Sequence, residues 1–243
     1  MTDLANGPAP GKEDEVVQAK TSAWQMYRAI VGIGAFCALL IVLVFQVTAP
    51  RIKLNQERFL AAAVAEVLPA AASTVAVIMD PEGRLAETQE TLALPAFLGY
   101  DENMNLVGAV ITAQGMGYQD NIRVLYSYSF EKKAIIGFKV LDSKETPGLG
   151  DKIEKEAHFI ANFEALDASL SADGTSLENT IVTVKQGEKT EPWQLDGITG
   201  ATITSDAIGV ILDTSAREWV PVFERDARAF VPAPKPQPEA EEE

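Results

Sequence analysis

Two short segments hold the residue types best suited to chemistry. The first is Asp196-Gly-Ile-Thr-Gly-Ala-Thr-Ile-Thr-Ser-Asp206, in which Thr199, Thr202, Thr204 and Ser205 set hydroxyls among small residues. Thr204 and Ser205 are natural N-cap residues and Asp206 suits a first turn, so a helix is expected to begin there. A small-residue loop running into a helix start offers free N–H groups and a favourable dipole to a phosphate. Thr202 would stand just upstream, its hydroxyl where such a phosphate binds, with Gly200 and Ala201 leaving room for another molecule. The same residues would equally serve an ordinary capped helix.

The second segment is Lys144-Glu-Thr-Pro-Gly-Leu-Gly-Asp151. Pro147-Gly148 suits the centre of a type II turn, with Gly148 supplying positive φ. Gly150 lets the backbone approach a neighbour without a β-carbon in the way. Glu145 and Thr146 would then set a carboxylate and a hydroxyl beside a loop that shapes a ligand site, or a plain solvent loop.

Little else in the chain could carry redox or metal chemistry. There is one cysteine, Cys37, and one histidine, His158. An internal disulfide, a four-thiolate iron–sulfur cluster and a multi-histidine metal site are all excluded. Electron handling would therefore require an organic cofactor. The net charge of −15 argues against nucleic-acid binding, which needs a basic face.

The positioning elements follow from hydrophobic patterning. Between Arg28 and Arg51 lie 22 uncharged residues. As a helix at ~1.5 Å per residue they reach about 33 Å, enough for a hydrocarbon core. Trp24 and Tyr27 stand at interfacial depth, and the long polar leader before them favours an uncleaved anchor over a signal peptide. Lys and Arg are balanced on the two flanks, so charge does not orient the span. The expected organisation is a tail over 1–23, a transmembrane helix over 24–50, a helical stalk over 51–69 ended by Pro69, a folded domain over 70–230 and a disordered acidic tail over 231–243.

Within the domain, Thr74–Ile78 reads as a strand and Asp80-Pro-Glu-Gly83 as a turn. The pattern turns strand-rich from Leu92. Asn105–Thr112, Ile122–Phe130 and Ile135–Leu141 form an antiparallel set, with a hairpin at residues 130–133 and close backbone approach at Gly115, Gly117 and Gly137. Ile153–Leu166 and Ser205–Trp219 read as helices, Ala172-Asp-Gly174 as a turn and Thr180–Val184 as a strand. The fold class is α+β, a largely antiparallel sheet with flanking helices. Trp193, Trp219, Tyr126 and Tyr128 suit either core packing or contact with a ring.

Lys144-Glu-Thr-Pro-Gly-Leu-Gly-Asp-Lys-Ile153 and Asp196-x-x-Thr-Gly-Ala-Thr-x-Thr-Ser205, in this order behind one membrane helix, resemble the two signature segments of the FMN-binding domain. That domain occurs in the G subunit of Rnf electron-transport complexes and the C subunit of Na⁺-translocating NADH:quinone reductases. The compact run Val140–Glu154 is closer to Rnf G. The resemblance implies covalent FMN, esterified through its phosphate to Thr202, with contacts from Thr199, Gly200, Ala201, Thr204, Ser205, Glu145, Thr146, Gly148, Leu149 and Gly150. It implies a flavin transferase that uses FAD and Mg²⁺ and recognises the segment containing Asp196. No catalytic residue and no metal site is expected. The implied role is a redox subunit relaying electrons during ferredoxin:NAD⁺ transfer coupled to ion movement. Its partners would be the other membrane subunits, with the domain on the periplasmic side of the bacterial inner membrane. The quinone-reductase C subunit and a non-redox assembly protein of the same fold are the alternatives.

Overall fold

The computed structural model describes residues 23–88 and 96–230. The tail readings for 1–22 and 231–243, and the onset of strand pattern at Leu92, lie outside the described residues. The chain divides into two units, residues 1–54 and 55–243. In the first, helix α1 (Ala23–Val67) begins. Its apolar side chains, among them Ile30, Phe36, Leu39, Ile41 and Phe45, are exposed, and the helix is long and apolar enough to cross a membrane. Cys37 lies on it, exposed.

Among the described residues of the second unit, seven antiparallel strands build one sheet. They are β1 (Ser73–Met79), β2 (Leu85–Glu87), β3 (Ala96–Tyr100), β4 (Leu106–Met116), β5 (Asn121–Ser129), β6 (Ala134–Asp142) and β7 (Leu166–Asp167), in the spatial order β2-β1-β3-β4-β5-β6-β7. The turn after β1 is the expected one: Asp80 accepts the N–H groups of Glu82 and Arg84, and Gly83 has φ 73°. The hairpin over residues 130–133 is also as read, with Lys133 at φ 51° closing it.

Side chains alternate between the two faces of these strands. One set, with Leu98, Ile111, Val124 and Tyr126, packs against Ile208, Leu212, Val220 and Phe223 of helix α3 (Thr202–Asp226). The other set, Phe97, Val110 and Leu125, packs against Ala63, Val64, Val67 and Leu68 at the end of α1. A helix can lie this close only where β-carbons are missing. Gly99 and Gly108 are register partners, and a β-carbon on either would strike Leu68. The Ser127 hydroxyl donates to the Val67 carbonyl at 2.6 Å, and a β-carbon on Gly137 would lie 2.7 Å from Ser127 Oγ.

Two expected helices differ from the reading. Residues 153–166 do not form one helix. A 3₁₀ turn over Gly150–Glu154, a short helix α2 (Ala157–Ile160) and a second 3₁₀ turn over Ala161–Glu164 replace it. Glu156 is extended (ψ 111°) and Phe163 leaves helical geometry. The break lets Phe159 and Phe163 both reach Phe138, with Phe163 stacked on it at 4.2 Å. Conversely α3 is longer than 205–219 at both ends and runs through Pro221. A small parallel pair, β8 (Val182–Val184) and β9 (Gln194–Asp196), leads into it.

Gly137→Ala should lower stability by about 1–3 kcal/mol, the usual cost of overpacking. Thermal unfolding of the full chain in detergent measures this. A wild-type melting temperature would show that the end of α1 is not held on this face.

Candidate functional site

The two signature segments meet. A cleft of about 340 Å³ is lined by Glu145, Thr146, Leu149 and Gly150 from one, by Gly200, Ala201, Thr202, Ile203 and Thr204 from the other, and by Tyr118. This lies within the ~300–1,000 Å³ usual for small-molecule sites.

Glu145 is the joint. It is only 7% exposed, and its two oxygens are taken by different segments. Oε1 accepts the Gln119 N–H at 2.9 Å, and Oε2 accepts the Thr204 hydroxyl at 2.8 Å. A buried carboxylate without donors would be costly, so these two bonds permit its burial. Two glycines make room for it. A β-carbon on Gly117 would lie 2.5 Å from Oε1, and one on Gly150 would lie 2.6 Å from Glu145 Cβ.

Around that joint the 144–151 loop is braced. Leu149 N–H bonds Thr146 O at 3.1 Å and Gly148 has φ 80°, the turn expected of Pro147-Gly148. Gly148 N–H also reaches Asp151 Oδ1 at 2.6 Å, and Thr146 Oγ1 bonds Gln119 Oε1 at 3.1 Å. Lys144 pairs with Asp120 and Lys155 with Asp151, and each hydrogen bond holds its carboxyl below the usual range.

The helix start differs from the sequence reading. The N-cap is Ala201, no side chain of the described residues caps α3, and Thr202 is its first residue. Thr204 and Ser205 lie inside the helix and are buried, so each hydroxyl turns to a nearer partner than the first N–H groups. Thr204 donates to Glu145, while Ser205 donates to Ala201 O at 2.9 Å and accepts from Ile198 N–H at 3.2 Å. Asp206 consequently falls beyond the first turn. Among the described residues the first N–H groups of α3 are thus left without a side-chain acceptor, beside an exposed Thr202. A phosphate ester at that hydroxyl would find those donors within one turn.

Not every sequence candidate reaches the cleft. Gly148, Thr199 and Ser205 do not line it. Thr199 N–H bonds Gln186 Oε1 at 3.1 Å. Asp196 sits on β9, where its carboxylate accepts Gly187 N–H at 2.6 Å and its backbone is clasped by Asn162 at 2.9 and 3.1 Å. The larger aromatics belong to the core: Tyr126 bonds Ser215, Tyr128 bonds Glu224, and Trp219 stacks on Phe223. Burial raises the phenol pKa values of both Tyr126 and Tyr128. Trp193 is half-buried and away from the lining. The sequence reading missed Tyr118, which is exposed, and Gln119. Their signal was an aromatic set in the glycine-rich turn Gly115-Met-Gly-Tyr-Gln.

Residues 117–214, which include both segments, match the FMN-binding domain family. The fold is that of the C subunit of a Na⁺-translocating NADH-quinone reductase from Parabacteroides distasonis, with a TM-score of 0.54 and 20% identity over 71% of this chain and 96% of that one. The G subunit of an ion-translocating oxidoreductase complex from Methanosarcina acetivorans is 30% identical over 74% of this chain and 85% of that protein. The G subunit of a Na⁺-translocating ferredoxin:NAD⁺ oxidoreductase complex from Acetobacterium woodii is 32% identical over 72% and 81%. The chain belongs to the G-subunit family of ion-translocating oxidoreductase (Rnf) complexes.

Glu145→Ala should cost about 1–3 kcal/mol for each donor left buried and unpaired. Glu145→Gln, which keeps an acceptor, should cost less. Thermal unfolding of the full chain reads the order, and equal melting temperatures for the two variants would contradict it.

Proposed function

We propose that the chain carries FMN as a phosphodiester on Thr202 and works as a membrane-anchored redox subunit of an ion-translocating electron-transport complex. The observation that supports this most is the meeting of both signature segments in one cleft, with Thr202 exposed at the first turn of α3. The residues present fit the group. Small neighbours at Gly200 and Ala201 admit a phosphate, the first N–H groups of α3 can donate to it, and Tyr118, Leu149 and Ile203 offer apolar surface for a ring. When bound, FMN supplies one- and two-electron chemistry that the side chains lack.

The chain's own residues tether and orient. In attachment, Thr202 Oγ gives up its proton and replaces AMP on the flavin-bearing phosphorus of FAD; the pyrophosphate bond breaks as the threonine ester forms. A dedicated flavin transferase with Mg²⁺ would catalyse this, recognising the segment that contains Asp196. Thr199 and Ser205 then support the attachment loop from outside the cleft. Glu145 keeps the cleft open, and a covalent tether prevents loss of cofactor where little of it is free.

In the same reading residues 24–50 span the bacterial inner membrane, 51–69 form a stalk and 70–230 form the FMN-binding domain on the periplasmic side. Residues 1–23 are a cytoplasmic tail and 231–243 an acidic tail. Other subunits of the complex exchange electrons with the domain. The name of the Acetobacterium relative points to ferredoxin and NAD⁺ as the ends of that path.

Co-expression with a flavin transferase tests attachment. The wild-type band should fluoresce in a denaturing gel, and Thr202→Ala should be dark. A dark wild-type band would favour a non-redox assembly role; an equally bright Thr202→Ala band would move the attachment site.

A further inference from the structure

We infer that Lys152 is the phosphate-binding cation of the Thr202 site. The inference rests on Thr202 being the FMN attachment point and adds to it a residue that neither signature-segment reading assigns.

A phosphodiester keeps a negative charge at neutral pH, and this chain is already at −15. Among the described residues the cleft lining contains one carboxylate, Glu145, and no cationic side chain. An anion placed there therefore calls for a cation from just outside the lining. The other two lysines of the 144–155 segment are engaged: Lys144 holds Asp120 and Lys155 holds Asp151. Lys189 donates to Asn162 Oδ1. Lys152 differs. Its backbone N–H bonds Leu149 O, but among the described residues its ammonium has neither an ion pair nor a hydrogen bond.

Its position suits the task. Lys152 lies on the 3₁₀ turn Gly150–Glu154 that continues the 145–150 loop. Its Nζ lies 3.8 Å from where a β-carbon on Gly200 would sit, and no other described residue beyond Gly200's chain neighbours comes within 4 Å of that point. Gly200 has φ 83° and is two residues from Thr202. The ammonium thus stands beside Gly200 of the attachment run, carried by the segment that continues the loop Glu145 fixes. A flexible stem with three donors on a compact charge suits a phosphate whose orientation is set elsewhere.

Phosphate recognition can be separated from covalent attachment. In the full chain carrying Thr202→Ala, purified in detergent, binding of FMN and of riboflavin is measured by fluorescence titration. FMN should bind more tightly than riboflavin, which lacks the phosphate. Adding Lys152→Gln should weaken FMN about tenfold, the scale of one charge-assisted bond, and leave riboflavin unchanged. Lys152→Arg should restore most of the preference, and ~1 M salt should shrink it. Unchanged riboflavin binding also reports that the variant is folded. Equal binding of the two flavins, weak or strong, overturns the assignment, as does a preference that survives Lys152→Gln. Failure of the Thr202 reading appears elsewhere, as a wild-type chain with no denaturation-resistant flavin. A fluorescent wild type with no Lys152 effect overturns only the role of Lys152.

Discussion

A carboxylate taken out of water must be met by donors, and the two that meet Glu145 come from either side of it in the sequence. One is the Gln119 N–H, in the turn after β4; the other is the Thr204 hydroxyl, in the first turn of α3. The bond to Thr204 closes a loop of 59 residues. Through it the Thr-Pro-Gly-Leu-Gly turn, the β4–β5 turn and the threonine-rich helix start become one rigid surround. Gly117 and Gly150 follow from the same requirement, since a side chain at either would occupy the carboxylate's place. Thr202 gains its setting indirectly: with Thr204 turned inward to Glu145, the helix begins earlier, and its first residue faces outward uncapped.

The rest of the fold holds the two partners of that bond at a fixed distance. β4, β5 and β6 are central to the sheet and carry the 117–120 turn and the loop after Asp142. α3 lies along one face of the same strands, seated where Gly115 admits Ile211. The opposite face is closed by the end of α1, which fits over Gly99, Gly108 and Gly137. Near the other end of the attachment loop, Asn162 and Gly187 fix Asp196. The loop from Gly197 to Ala201 is thus anchored at both ends while its middle stays exposed.

Much of this was legible in the sequence because it is local. Alternation over 105–141 marked the central strands, Pro147-Gly148 marked its turn, and the order of the two segments marked the family. What failed to show was decided by contacts distant in sequence. Thr204 and Ser205 carry strong capping chemistry, yet Glu145 and Ile198 claim their hydroxyls. The apolar spacing of 153–166 suits a helix, yet packing of Phe159 and Phe163 on Phe138 breaks it into turns. Tyr118 had no role in the sequence reading, and only the meeting of the segments makes it a wall of the cleft. Trp219 and the Tyr126/Tyr128 pair, which by sequence suited packing or contact with a ring, belong to the core.

Peptide mass spectrometry on the chain co-expressed with flavin transferase addresses the central claim most directly. The tryptic peptide Thr190–Arg217 holds every hydroxyl of the attachment loop and can be sequenced by fragmentation. The expected result is a mass increase equal to FMN less one water, localised to Thr202. An unmodified peptide, or the same increase localised to Thr199, Thr204 or Ser205, would contradict it.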